Sequence, residues 1–194
     1  MAEFSRVRGG VGGAWFDGTL HVDGREPDAT VLVLEGEGRD LDLRRGLIPD
    51  QDPAELPRTD GHGRVRIVHT AADEATTVTG LLRDGRIEIM PFDSCRVDVR
   101  ATADSLQLRR VDLWRASLRA ELTGATDTAE VFTGDLALAV EDLRDLPAEW
   151  QWPALTGRAR GRVGVTGPVE DLDVSGALTL HDPTLGPMGA AAGE

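Results

Sequence analysis

The stretch Val131-Phe132-Thr133-Gly134-Asp135-Leu136-Ala137-Leu138-Ala139-Val140-Glu141-Asp142 decides the fold. One parity carries Phe132, Gly134, Leu136, Leu138 and Val140, and the other carries Thr133, Asp135, Ala137, Ala139 and Glu141. Successive side chains of an extended chain point to opposite faces, so this pattern predicts a strand with one oily and one wet side. Read outward, the rule repeats. Trp114, Ala116, Leu118, Ala120 and Leu122 alternate with Arg115, Ser117, Arg119 and Glu121. Leu106 and Leu108 alternate with Gln107 and Arg109; Leu172, Val174, Leu178 and Leu180 alternate with Asp171, Asp173, Ser175 and Thr179. Val65 with Ile67, Ile87 with Ile89 and Leu41 with Leu43 behave likewise, and Thr30–Leu34 and Ala14–Val22 are further strand candidates.

Asp17-Gly18, Asp23-Gly24, Asp60-Gly61, Asp84-Gly85, Thr123-Gly124 and Gly167-Pro168 read as turns between these runs, because glycine supplies the positive φ that tight hairpins need. About a dozen short strands at even spacing, with helical periodicity confined to one turn within Asp142–Trp150, predict an all-β chain. Residues 49–63, rich in proline and acid, read as a loop. Residues 147–153 read as a connector carrying Trp150 and Trp152, and 183–194 as a frayed tail. No sharp boundary divides residues 1–182, which are expected to form one β-rich unit.

Composition narrows the function. The net charge of -13 is spread along the 194 residues and repels phosphate backbones, which disfavours nucleic-acid binding. Every basic residue is an arginine, and lysine, asparagine and tyrosine are missing, as the codon bias of a GC-rich genome produces. Nowhere do 18 apolar residues run together, and the first residues lack the apolar core of a signal peptide. The chain is therefore expected to be soluble: either cytoplasmic, or an internal piece of a longer exported protein.

Catalysis finds little support. His21, His62, His69 and His181 have no metal-binding spacing, and no nucleophile elbow occurs. Gly9-Gly10-Val11-Gly12-Gly13 opens no helix and has no phosphate-binding lysine. Asp40-Leu41-Asp42 and Asp171-Leu172-Asp173 put carboxylate pairs on one strand face, which a calcium ion or simply water can satisfy. Cys95 shares a parity with Val97 and Val99 and reads as a small buried apolar residue. Trp150 and Trp152 are candidates either for the rim of a groove or for plugging a sheet end. No enzyme, metal or cofactor is expected.

The stretch Leu155-Thr156-Gly157-Arg158-Ala159-Arg160-Gly161-Arg162-Val163-Gly164-Val165-Thr166-Gly167-Pro168-Val169-Glu170-Asp171-Leu172-Asp173-Val174-Ser175-Gly176-Ala177-Leu178-Thr179-Leu180 resembles a recurring unit of the TamB/AsmA-like family. Gly134–Leu146 resembles the strand and connector before that unit, and weaker similarity reaches back to about Asp28. The resemblance implies an elongated, bent antiparallel sheet, the β-taco, with an apolar concave lining. It implies phospholipid acyl chains as partners, in phospholipid transport between membranes or outer-membrane biogenesis. The place is the periplasm, in a parent protein anchored to the inner membrane and meeting an outer-membrane assembly protein through regions this chain lacks. The lining expected here is Leu106, Leu108, Trp114, Leu118, Phe132, Leu136, Leu138, Val140, Val163, Val165, Val174, Leu178 and Leu180. The same alternation also builds a closed β-sandwich, a binding module for carbohydrate or protein. That is the alternative.

Overall fold

The computed structural model describes residues 2–11, 14–24, 30–40, 59–87, 90–126, 131–146, 155–168 and 171–185. They form eleven strands: β1 (Ala2–Val11), β2 (Ala14–Asp23), β3 (Val31–Arg39), β4 (Thr59–Thr70), β5 (Ala75–Ile87), β6 (Met90–Ala101), β7 (Leu106–Arg115), β8 (Leu118–Thr126), β9 (Val131–Val140), β10 (Leu155–Pro168) and β11 (Asp173–Leu185). Each strand pairs antiparallel with the next, giving one open sheet in sequence order. The only helical pieces among the described residues are single 3-10 turns at Ala71–Asp73 and Leu143–Asp145. The fold is the all-β chain expected from the alternation, in the elongated, bent antiparallel sheet that the resemblance implies. The described strands all belong to this one sheet.

Three expectations change. Trp114–Leu122 is not one strand: a two-residue turn at Ala116-Ser117 folds it into the β7–β8 hairpin, with Ala116 at φ 47°. Residues 59–63 belong to β4 and 183–185 to β11, although they were expected in a loop and a tail. Residues 49–58, the expected connector 147–153 with Trp150 and Trp152, and 186–194 lie outside the described residues. Finally, Asp17-Gly18, Asp60-Gly61, Asp84-Gly85 and Thr123-Gly124 fall inside strands rather than at turns.

The glycines have a different use there. Phe132 lies against the cross-strand pair Gly124 and Gly134, and Phe16 lies in the same way against Gly18 and Gly36. A Cβ on Gly134 would sit 2.3 Å from the Thr123 carbonyl oxygen and 2.8 Å from Phe132 Cζ. The ring thus fills the space the missing side chains leave and lies close to the sheet. Glycine in a strand is weak by itself, and an aromatic cover restores contact.

Burial separates the two faces. Val65, Val78, Leu82, Cys95, Leu113, Leu118, Val140 and Ala159 are buried in one cluster, with Val140 at 0% exposure. Leu143, on the 3-10 turn after β9, belongs to the same cluster and packs at the strand ends. Asp142 caps that turn by accepting the Arg144 backbone N–H at 3.0 Å.

A candidate apolar trough

Register turns single-strand alternation into ladders that cross the sheet, because directly paired residues share a face. One ladder runs from β2 to β11 as Leu20, Leu34, Ile67, Val78, Val99, Leu108, Gly124, Gly134, Val165 and Val174. The next is Gly18, Gly36, Val65, Gly80, Val97, Val111, Leu122, Leu136, Val163 and Gly176. The third is Phe16, Gly38, Gly63, Leu82, Cys95, Leu113, Ala120, Leu138, Gly161 and Leu178. None of these positions carries a polar side chain apart from the thiol of Cys95.

Of the expected lining residues, Leu108, Leu136, Leu138, Val163, Val165, Val174 and Leu178 stand in these ladders. Leu118, Val140 and Leu180 stand in the adjoining row through Ala159, and Leu106 and Phe132 share the same face toward the opposite strand ends. Leu118, Phe132, Val140 and Val165 are buried; Leu106, Leu108, Leu136, Leu138 and Val163 are half-buried. Val174, Leu178 and Leu180 on β11 are exposed, Val174 at 62%.

Trp114 lies on the other face, paired with Ser94 and Arg119. The register shift between Leu108 and Val111 explains this. An extra residue in β7 flips parity, so Leu106 and Leu108 share a face with Val111 and Leu113 rather than with Trp114. The reading also missed the contribution of β2 to β5, notably Leu20, Leu34, Val78 and Leu82. The recurring Phe-x-Gly in Phe16-Asp17-Gly18 and Phe132-Thr133-Gly134 was the available signal.

The wet face carries a cross-strand row of charges, Asp17, Glu37, Arg64, Arg96, Asp112, Glu121 and Arg162, interrupted by Leu81 and Ala137. Arg110 Nε donates to both oxygens of the buried Asp112 at 2.7 and 2.9 Å, and its Nη2 reaches Glu121 at 3.4 Å. Arg8 pairs with Asp17 at 2.9 Å, and Arg64 pairs with Glu35. A shallow depression of about 500 Å³ opens on this face over the small Ala137 and Ala139, bordered by Arg119, Glu141, Arg160 and Arg162. Trp114 lines a second one, of about 280 Å³, beside Arg110, Asp112 and Glu121.

Other candidates stay apart. Burial first, and then the negative charge of Asp112, push the Cys95 thiol up to about 11, so it stays protonated at neutral pH. His62 sits 3.6 Å from Asp84, and His69 Nδ1 lies 3.1 Å from Thr76 Oγ1. Among the described residues no three His, Cys, Asp or Glu side chains gather as a metal site, and no helix is long and apolar enough to cross a membrane. Comparison of the chain with protein families, characterised proteins and solved structures finds no match.

Proposed function

We propose that this chain is a hydrophobic-trough segment of a bacterial envelope protein of the TamB/AsmA type. It shields lipid acyl chains during inter-membrane phospholipid transport or outer-membrane biogenesis. The parent protein works in the periplasm from an inner-membrane anchor and meets its outer-membrane partner through other regions. One observation carries this reading: three adjoining apolar ladders cross ten strands on a face with no second sheet over it among the described residues.

The dimensions suit the task. Strands about 4.8 Å apart make a ten-strand ladder roughly 43 Å long. An acyl chain spans half of a ~30 Å hydrocarbon core, about 15 Å. Moving a chain of about sixteen carbons into water costs on the order of 10 kcal/mol at about 0.8 kcal/mol per methylene, and contact with such a face removes much of that cost. The charged outer face keeps the protein side of the trough in water.

The test is phospholipid content by mass spectrometry after purification from a Gram-negative host. Wild type should carry phospholipid. Leu138→Arg, at a half-buried position of the third ladder, should carry little while keeping its β circular dichroism. Thr133→Arg, on the wet face, should carry the wild-type amount. Lipid-free wild type overturns the reading, as does equal lipid in Leu138→Arg. Global unfolding of Leu138→Arg also overturns it, because a charge that unfolds the chain there faces a closed core.

A further inference from the structure

The middle of the wet face holds a basin walled by arginine. Two cross-strand rows run side by side from β7 to β10: Trp114, Arg119, Ala139 and Arg160, then Asp112, Glu121, Ala137 and Arg162. Long arginines on β8 and β10 stand over two alanines on β9, and this difference in height makes the depression of about 500 Å³. The depression beside Trp114 shares Arg119, Ala137 and Ala139 with it, so the two adjoin as one basin.

The carboxylates around this basin already have cations. Arg110 donates to Asp112 and reaches Glu121, and Arg160 pairs with Glu141. The hydrogen bond from Arg160, and then the charges of Arg160, Arg158 and Arg119, hold the Glu141 carboxyl below its ordinary value, so the local field is positive. Positive charge is left over. Arg119 and Arg162 are exposed and make no hydrogen bond or ion pair among the described residues. They stand diagonally across Ala137 and Ala139, two strands apart and two residues along, which separates their Cα atoms by about 12 Å. Two guanidinium forks extended from there can grip one tetrahedral anion between them, and the fork matches phosphate oxygens in pairs. The net charge of -13 repels nucleic acid and anionic bilayers, so the complementary ligand is a compact anion whose charge is met inside the basin. The other end of the basin has different chemistry. Trp114 offers a flat apolar surface, and Glu121 beside it is an acceptor for hydroxyl groups. A sugar ring has both: apolar C–H faces and a rim of hydroxyls.

We propose that this basin is a binding site for a phosphorylated sugar. Its phosphate lies over the alanines between Arg119 and Arg162, and its ring lies toward Trp114 with hydroxyls donating to Glu121. The site is built on the face opposite the apolar ladders, so it holds whether or not those ladders carry lipid. Its contacts are charge-assisted and exposed, so affinity falls as salt rises.

Isothermal titration of the full chain at low salt, with glucose 1-phosphate, glucose and inorganic phosphate as probes, tests this. Glucose 1-phosphate should bind roughly tenfold tighter than either part alone, the worth of one additional charge-assisted contact. Arg162→Gln and Arg119→Gln, at exposed positions, should each weaken it by about tenfold while keeping the β circular dichroism of wild type. Trp114→Leu should bind inorganic phosphate as wild type does and lose the preference for glucose 1-phosphate. Arg66→Gln removes the same charge from the same face four strands from β8 and should leave affinity unchanged. Wild type that fails to bind glucose 1-phosphate overturns the proposal. Inorganic phosphate binding as tightly as glucose 1-phosphate overturns it too, because the basin then holds a bare anion. So does equal weakening by Arg66→Gln and Arg162→Gln, which is a response to net charge rather than to a site.

Discussion

At the scale of single residues, glycine and phenylalanine shape the apolar face. Gly134 and Gly164 have opposite predicted responses to the same methyl group. At Gly134 a Cβ runs into the Thr123 carbonyl and the Phe132 ring, so Gly134→Ala should destabilise by about 1–3 kcal/mol, the usual cost of overpacking. At Gly164 the nearest atoms to a Cβ are 3.7 Å away and φ is not positive. Gly164→Ala should then stabilise by about 0.4–1 kcal/mol, through lost freedom of the unfolded chain. Urea midpoints decide between these signs, and two equal shifts would contradict the role given to the Phe132 ring. The alternation read from sequence put Gly134 on the oily face without revealing the ring over it. Which glycine lies under a ring depends on the strand alongside.

At the scale of elements, the turn Leu143–Asp145 adds Leu143 to the buried cluster on the apolar face. The Arg144 guanidinium, and then its backbone N–H, donate to Asp142 and hold its carboxyl down to about 2. A depressed folded value means the carboxylate stabilises the turn above its unfolded value of about 3.9. That contribution fades as pH falls through about 2. Amide exchange at 143–146 should accordingly be several-fold faster in Asp142→Ala than in wild type at pH 6, with the two converging near pH 2. Equal exchange at pH 6 would remove the carboxylate from this role. The β7 shift makes the same lesson in another element: Trp114 followed the parity of Leu106 and Leu108 in the sequence and came out on the opposite face. A bulge depends on the partner strand, and no rule of alternation contains it.

At the scale of the molecule, the described strands form a single sheet with its apolar ladders on one face, which the proposed function leaves open to lipid. The native protein should therefore bind a neutral, environment-sensitive apolar dye at pH 7, release it when urea unfolds the sheet, and release it to added phospholipid while still folded. A dye that binds only in partly denatured protein would point instead to a covered face that opens on unfolding. Net charge works in the same direction as the wet face, keeping chains with exposed leucines dispersed.

The sequence by itself determined that the chain is all-β, that its strands follow at short intervals, and that Leu136, Leu138, Val140, Val163 and Val165 share a face. Period two is a property of one extended strand and needs no knowledge of its neighbours. Only the tertiary structure decided that the strands form one open layer, that Asp-Gly pairs lie inside strands beneath phenylalanines, and that Trp114 faces the charges. Those facts are set by register between strands, and register is fixed by contacts across the sheet that a linear pattern does not record.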